Sequence, residues 1–335
     1  MFRRSLLTGA GAAGMLSLSS VRPARADAMA DAKKRGTLIV GMEVAYVPYE
    51  FFKDGNILGY DPDILALVGP KLGVKVQMVD TAWAGIIPAL YAGKFDCIVS
   101  AMTITKERAE KVLFSMPYAD ASNVIFLRAD ETNVKTADDL SGKVIGVQLG
   151  SAAAVIAKTF EDKLKAKGLP GYKEVKQYDH YPEAYQDLLN KRTDAVINSK
   201  STLMVVIRDS PGKFKMIGGV SDITAYFGMA FRKEDGALRD FFNTQLAAMK
   251  TDGTLDKLQV KWFGATMPTR IRYPPCCPDI TPCLKHSRHG QLRLGRRLVC
   301  RALYAPGHGG HTGDICLGDG AGLGGWHRDG VDQRL

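Results

Sequence analysis

From Thr37 onward the chain alternates short apolar runs with amphipathic segments, the pattern of βαβ units on a parallel sheet. "TLIVGM" (37–42) predicts a strand, and "DPDILALVGPKLG" (61–73) a helix with Asp61 as N-cap, Pro62 at its first position and Gly73 past its end. Pro70 is expected to shorten or kink that helix. "VKVQMV" reads as the next strand, "GIIPALYAGK" as a helix and "FDCIVSA" as a strand. A second series begins at "KVIGVQL" and continues through a long helix over 151–167, the strand "EVKQY" and the helix "PEAYQDLLNK". It ends with the strand "TDAVIN", a helix over 201–208 and the strand "FKMIGG".

Setting "LYAGKFDCIVS" (90–100) over "LLNKRTDAVIN" (188–198) superposes leucine, aspartate and the apolar strand position by position. The expected architecture is α/β with two lobes built alike, each presenting the carboxyl ends of its strands. Ligands of open α/β sheets bind at those ends, so two such lobes face to face form a cleft. "ASNVIFLRA" and "ITAYFGMAFRK" flank the second series and are placed to carry the chain between lobes. The first lobe is therefore expected over 27–121 plus 226–267, and the second over 122–225.

The two ends follow neither pattern. "MFRRSLLTGAGAAGMLSLSSVRPARA" has twin arginines Arg3 and Arg4, a mildly apolar stretch from Leu6 to Leu18 and a small-x-small site at Ala24-Arg25-Ala26, which predicts an export leader of the twin-arginine kind, cleaved after Ala26. Residues 268–335 are rich in Pro, Gly, Arg, His and Cys and are expected to be disordered or read out of frame. Cys276, Cys277, Cys283, His286 and His289 have zinc-ligand chemistry and spacing but no surrounding apolar periodicity, so no metal or other cofactor is assigned. Sequencing the gene across the junction decides whether the frame is intact.

With the ends set apart, the charge of the chain changes meaning. Of the formal +10, the leader's four arginines carry +4, and ten basic against five acidic residues in 268–335 carry +5. The body keeps 31 basic and 30 acidic residues, a net +1, which removes the basis for a nucleic-acid partner. Its lone Cys97 lies in an apolar strand as inert packing.

The body resembles the periplasmic solute-binding proteins of polar amino acid ABC importers, the bacterial extracellular solute-binding proteins of family 3. The resemblance is carried by "YVPYEF" (46–51), "GYDPDI" (59–64), "WAGIIPALYAGKFDCIVSAMTITKERAEKVLFSMPY" (83–118), "DDLSGKVIGVQLGS" (138–151), "YPEAYQDLLNKRTDAVIN" (181–198) and "TDGTLDKLQVKWFG" (251–264). It implies a two-lobe Venus-flytrap receptor with two hinge crossings. Such a receptor binds an amino acid or related small carboxylate without catalysis and delivers it to permease subunits at the inner membrane. In such receptors the loop after the strand grips the ligand's α-carboxylate. Arg108 offers a rigid fork of donors for that task, Thr103 a hydroxyl, and Ser100 and Ala101 backbone groups. Gly150 and Ser151 precede a helix whose amino end suits an anion, although Ser151 is equally an ordinary N-cap.

Tyr46 and Trp83 match positions that wall the ligand side chain, and Glu43 one that contacts its distal group. Where the family carries an aspartate for the α-ammonium, counting five from Asp194 reaches Ser199. Either the ligand lacks an ordinary α-ammonium, or Glu43, Asp179 or Asn198 supplies acceptors, or the register slips by a residue. The same fold also resembles cyclohexadienyl and arogenate dehydratases, for which Glu43 and Glu50 are the nearby candidate general acids.

Overall fold

The computed structural model describes residues 27–220 and 225–267. Helix α1 (Ala28–Arg35) leads into strand β1 (Thr37–Met42), followed by the short strands β2 (Ala45–Tyr46), β3 (Glu50–Lys53) and β4 (Asn56–Leu58). Next come α2 (Tyr60–Leu72), β5 (Lys75–Asp80), α3 (Ile86–Tyr91), β6 (Cys97–Thr103) and α4 (Lys106–Lys111). Strands β7 (Leu113–Phe114), β8 (Ala119–Asp120) and β9 (Asn123–Arg128) precede β10 (Val144–Gln148), α5 (Ala152–Ala166) and β11 (Glu174–Tyr178). Then follow α6 (Tyr181–Leu189), β12 (Ala195–Ser199), α7 (Lys200–Asp209), β13 (Phe214–Ile217), β14 (Tyr226–Phe231), α8 (Gly236–Thr251) and α9 (Thr254–Phe263).

These elements form two open sheets of the same plan. One runs β5-β1-β6-β14-β7 and the other β11-β10-β12-β9-β13. In each, three parallel strands are followed by an antiparallel one, β14 against β6 and β9 against β12. The two flanking segments expected to carry the chain between lobes are these antiparallel strands, β9 entering the second sheet and β14 returning to the first.

The internal likeness extends to individual hydrogen bonds. Asp96 donates its N–H to Ile39 O at 2.8 Å while its carboxylate accepts from Ile39 N at 2.8 Å. Asp194 repeats both contacts with Val144 at 2.8 Å each. An aspartate ahead of each central strand thus clips it to its neighbour, which is why that residue recurs in both halves. The equivalence Ile39 to Val144 sets Glu43 opposite Gln148 in the repeat, and Asp96 to Asp194 sets Ser100 opposite Asn198.

Helix α2 departs from the expectation. Its N-cap is Gly59, it begins at Tyr60, and Asp61 makes no cap. Instead Asp61 is fully buried and accepts hydrogen bonds from Ala101 N at 3.1 Å and Tyr118 Oη at 2.9 Å. The inward turn wins because Asp61 satisfies a buried backbone N–H at a strained point of β6, where Ala101 has φ +38°. Pro70 lies inside the helix and Gly73 caps its end in the left-handed conformation.

Gly59 is the position where that junction tolerates no side chain. Its φ is +142°, and a Cβ there would lie 2.1 Å from the backbone oxygen of Tyr49. Gly59→Ala is predicted to destabilise the fold by about 2 kcal/mol or more, read as a lowered denaturation midpoint in urea.

Candidate functional site

The candidate residues converge because they sit at the carboxyl ends of parallel strands or on the turns that follow them. Glu43 follows β1, Trp83 follows β5, Ser100 to Thr103 end β6, and Ser199 ends β12. An inner cavity is lined by Glu43, Tyr46, Trp83, Ser100, Ala101, Thr103, Ser151 and Ser199. Arg108 and Gly150 lie on an adjoining outer cavity that shares Trp83, Thr103 and Ser151 with the inner one.

Arg108 stands at the junction. Its N–H groups donate to Thr103 O at 3.1 Å and, across the cleft, to Gly150 O at 3.0 Å, while the guanidinium carbon lies 5.1 Å from the Trp83 ring centre. Trp83 Nε1 donates to the same Gly150 oxygen at 3.2 Å. Burial pulls the guanidinium down to about 10, still charged at neutral pH. Both of its hydrogen-bond partners are neutral carbonyls. Next to it, Ser151 caps α5 by accepting from Ala154 N at 3.2 Å, and Ser151, Ala152 and Ala153 face the inner cavity. First-turn amides have no intrahelical acceptor and the helix dipole adds positive potential, so two sources of positive charge meet here.

Ser100 and Ala101 position the loop more than they offer free groups. Ser100 Oγ donates to Glu50 at 2.7 Å and accepts from Glu43 N at 3.0 Å, while the N–H of Ala101 is held by Asp61 and by Tyr118 Oη. Glu50 and Asp61 face each other beneath this loop, and burial drives both carboxyls up, Asp61 to about 7. Glu50 is wholly buried and does not line the cavity, so it is no general acid for a substrate there.

The second lobe closes the cavity with Ser199, with Asn198, weighed above as an acceptor, and with groups that the sequence reading passed over. Tyr46 Oη donates to Asn198 Oδ1 at 2.8 Å and pairs with Ser199 Oγ at 2.9 Å, and its ring lies 5.7 Å from that of Tyr181. Asn123 and Gln148 also line the cavity, and Phe227 does so from β14 of the first sheet. The internal repeat was the signal for two of these, since it sets Gln148 against Glu43 and Asn198 against Ser100. Asn123 and Phe227 have no comparable signal. Asp179, weighed as an acceptor, is not among the lining residues; its carbonyl accepts from Gln148 Nε2 at 2.9 Å.

Glu43 is 1 % exposed and its Oε1 lies 2.5 Å from His180 Nδ1 on the other lobe. Desolvation raises the Glu43 carboxyl, against hydrogen bonds from His180 and Gln148, and the bond to Glu43 raises His180. Among the described residues no cluster of three or more His, Cys, Asp or Glu could hold a metal. The cysteines and histidines of the tail lie outside the described residues.

Residues 38–265 match the family described as bacterial extracellular solute-binding proteins, family 3. The chain belongs to that family. The L-cystine-binding protein TcyJ of Escherichia coli K12 is 31% identical over 265 residues, covering 78% of this chain and 96% of the relative. Among solved structures, the arginine-bound form of truncated ArgBP from T. maritima matches with a TM-score of 0.58 and 34% identity, over 66% of this chain and 99% of that one. The ancestral amino acid-binding protein AncCDT-1, a precursor of cyclohexadienyl dehydratase, matches with a TM-score of 0.63 and 36% identity, over 70% and 99%. The family and these relatives are binding proteins, which does not favour the dehydratase alternative; of its two candidate acids Glu43 lines the cavity and Glu50 does not.

The contact between Glu43 and His180 has a pH signature. A histidine raised by its partner contributes stability that is fully present below its unfolded value near 6.5 and is lost as pH climbs through the higher folded value. The thermal midpoint of the full chain is therefore predicted to fall as pH rises from 6.5 to 9, and to fall less in His180→Gln. Equal slopes in the two proteins would contradict the assignment.

Proposed function

We propose that this receptor takes an amino acid or related small carboxylate into the inner cavity, with the carboxylate between the Arg108 guanidinium and the first turn of α5. The observation that carries the reading is a half-buried cation whose only hydrogen-bond partners among the described residues are Thr103 O and Gly150 O, beside a helix amino end. A charge drawn from water without an anionic partner is costly, and a bound carboxylate supplies the bidentate partner. Tyr46 and Trp83 wall the ligand, Thr103 and Ser151 add hydroxyls, Ser100 and Ala101 shape the floor, and Glu43 and Ser199 meet its other groups. The L-cystine and arginine named for the relatives are consistent with such a ligand.

In this reading the lobes comprise 27–121 plus 226–267, and 122–225, and they close by bending at 121–123 and near 225. Contacts made from both sides favour the closed form, so the ligand shifts the receptor towards it. The closed complex docks on ABC permease subunits at the inner membrane, after export to the periplasm and cleavage of residues 1–26 behind Ala26. A micromolar affinity corresponds to about −8 kcal/mol, within reach of one bidentate ion pair, several helix amides and two aromatic walls.

A thermal-shift screen of the full chain against amino acids, opines and small organic acids tests this. Every stabilising compound is expected to bear a carboxylate, and Arg108→Ala to weaken its binding on the order of a hundredfold, with Arg108→Lys in between. Stabilisation by compounds without a carboxylate, or binding indifferent to Arg108→Ala, contradicts the reading.

A further inference from the structure

Resting on that reading, we infer that His180 sets the charge class of the ligand: it occupies the one carboxylate that lines the inner cavity among the described residues and so biases the receptor towards amino acids with neutral side chains over basic ones. Of the described side chains that line the cavity, Glu43 alone is an acid; the others are hydroxyl, amide, aromatic or alkyl. A basic amino acid brings a second cation besides its α-ammonium. Buried in this cavity, that cation has, among the described residues, only Glu43 to neutralise it.

Glu43 is already engaged from the opposite lobe. His180 Nδ1 lies 2.5 Å from its Oε1, and the Gln148 side chain also hydrogen-bonds to it. The next acid on that side, Asp80, is turned to the backbone of Val44, accepting its N–H at 2.9 Å. His180 itself lies outside the cavity wall and is held in place as the N-cap of α6, where Glu183 completes a capping box. It therefore withdraws negative charge from the cavity without occupying ligand space. A cationic side chain would have to displace an imidazole, whereas an amide or hydroxyl can share Glu43 Oε2 or Gln148 without breaking the pair.

Calorimetry of the full chain with L-glutamine and L-arginine tests this. The unaltered protein is expected to bind glutamine the tighter of the two. In His180→Ala the ratio of arginine to glutamine affinity should rise by about tenfold or more, the scale of one hydrogen-bonded charge contact. In the double variant Glu43→Gln, His180→Ala that gain should disappear, which a merely structural role of His180 would not produce. Arginine binding as tightly as glutamine in the unaltered protein, or a ratio unmoved by His180→Ala, overturns the inference and leaves the receptor reading in place. If neither amino acid binds any of the three proteins the inference also falls, and the receptor reading falls with it unless another carboxylate binds in an Arg108-dependent manner.

Discussion

A guanidinium held between two neutral carbonyls on opposite sides of a cleft is the constraint around which the site is arranged. Arg108 needs an anion more than the protein provides one, and the amino end of α5 adds positive potential at the same point. The two lobes meet there directly, through Arg108 and Trp83 on one side and the Gly150 carbonyl on the other. Further contacts across the cleft, from Tyr46 to Asn198 and Ser199, Tyr49 to Ser201 and Glu43 to His180, are polar and short in reach. Polar contacts of this kind exchange readily for water when lobes part, which suits a surface that must open and close.

Behind the polar cleft the floor is rigid. Tyr46, Tyr49, Tyr60, Tyr118 and Phe227 pack as a chain of rings, with centroids between 5.1 and 6.5 Å apart. Beneath β6, Glu50 and Asp61 pin Ser100 and the strained backbone of Ala101. Two carboxyls in that position are expensive unless one holds a proton, and burial raises both of them accordingly. The arrangement fixes the loop that leads to Thr103 and Arg108.

Much of this was legible along the chain because it depends on local pattern. Alternating runs gave the strands, the glycine past α2 gave its end, and the recurring aspartates Asp96 and Asp194 marked two halves that prove to share one strand order. Most of the candidate site residues lie where strands end, since that is where an open sheet exposes its backbone groups. Asp61 misled for a physical reason: an aspartate ahead of a helix is good N-cap chemistry, and only the tertiary contact with Ala101 and Tyr118 draws it inward. The pairing of Glu43 with His180 spans 137 residues and has no local signature. Asn198 could be weighed as an acceptor from its place beside Ser199, whereas Gln148 was visible only by carrying the internal repeat through to the cleft.

A crystal structure of the full chain with the compound that most stabilises it is the most direct test of the central claim. The account predicts a carboxylate within hydrogen-bond distance of both the Arg108 guanidinium and the first-turn amides of α5, with the guanidinium drawn off the Gly150 carbonyl. A ligand seated elsewhere, with Arg108 still bonded to Gly150, would contradict it.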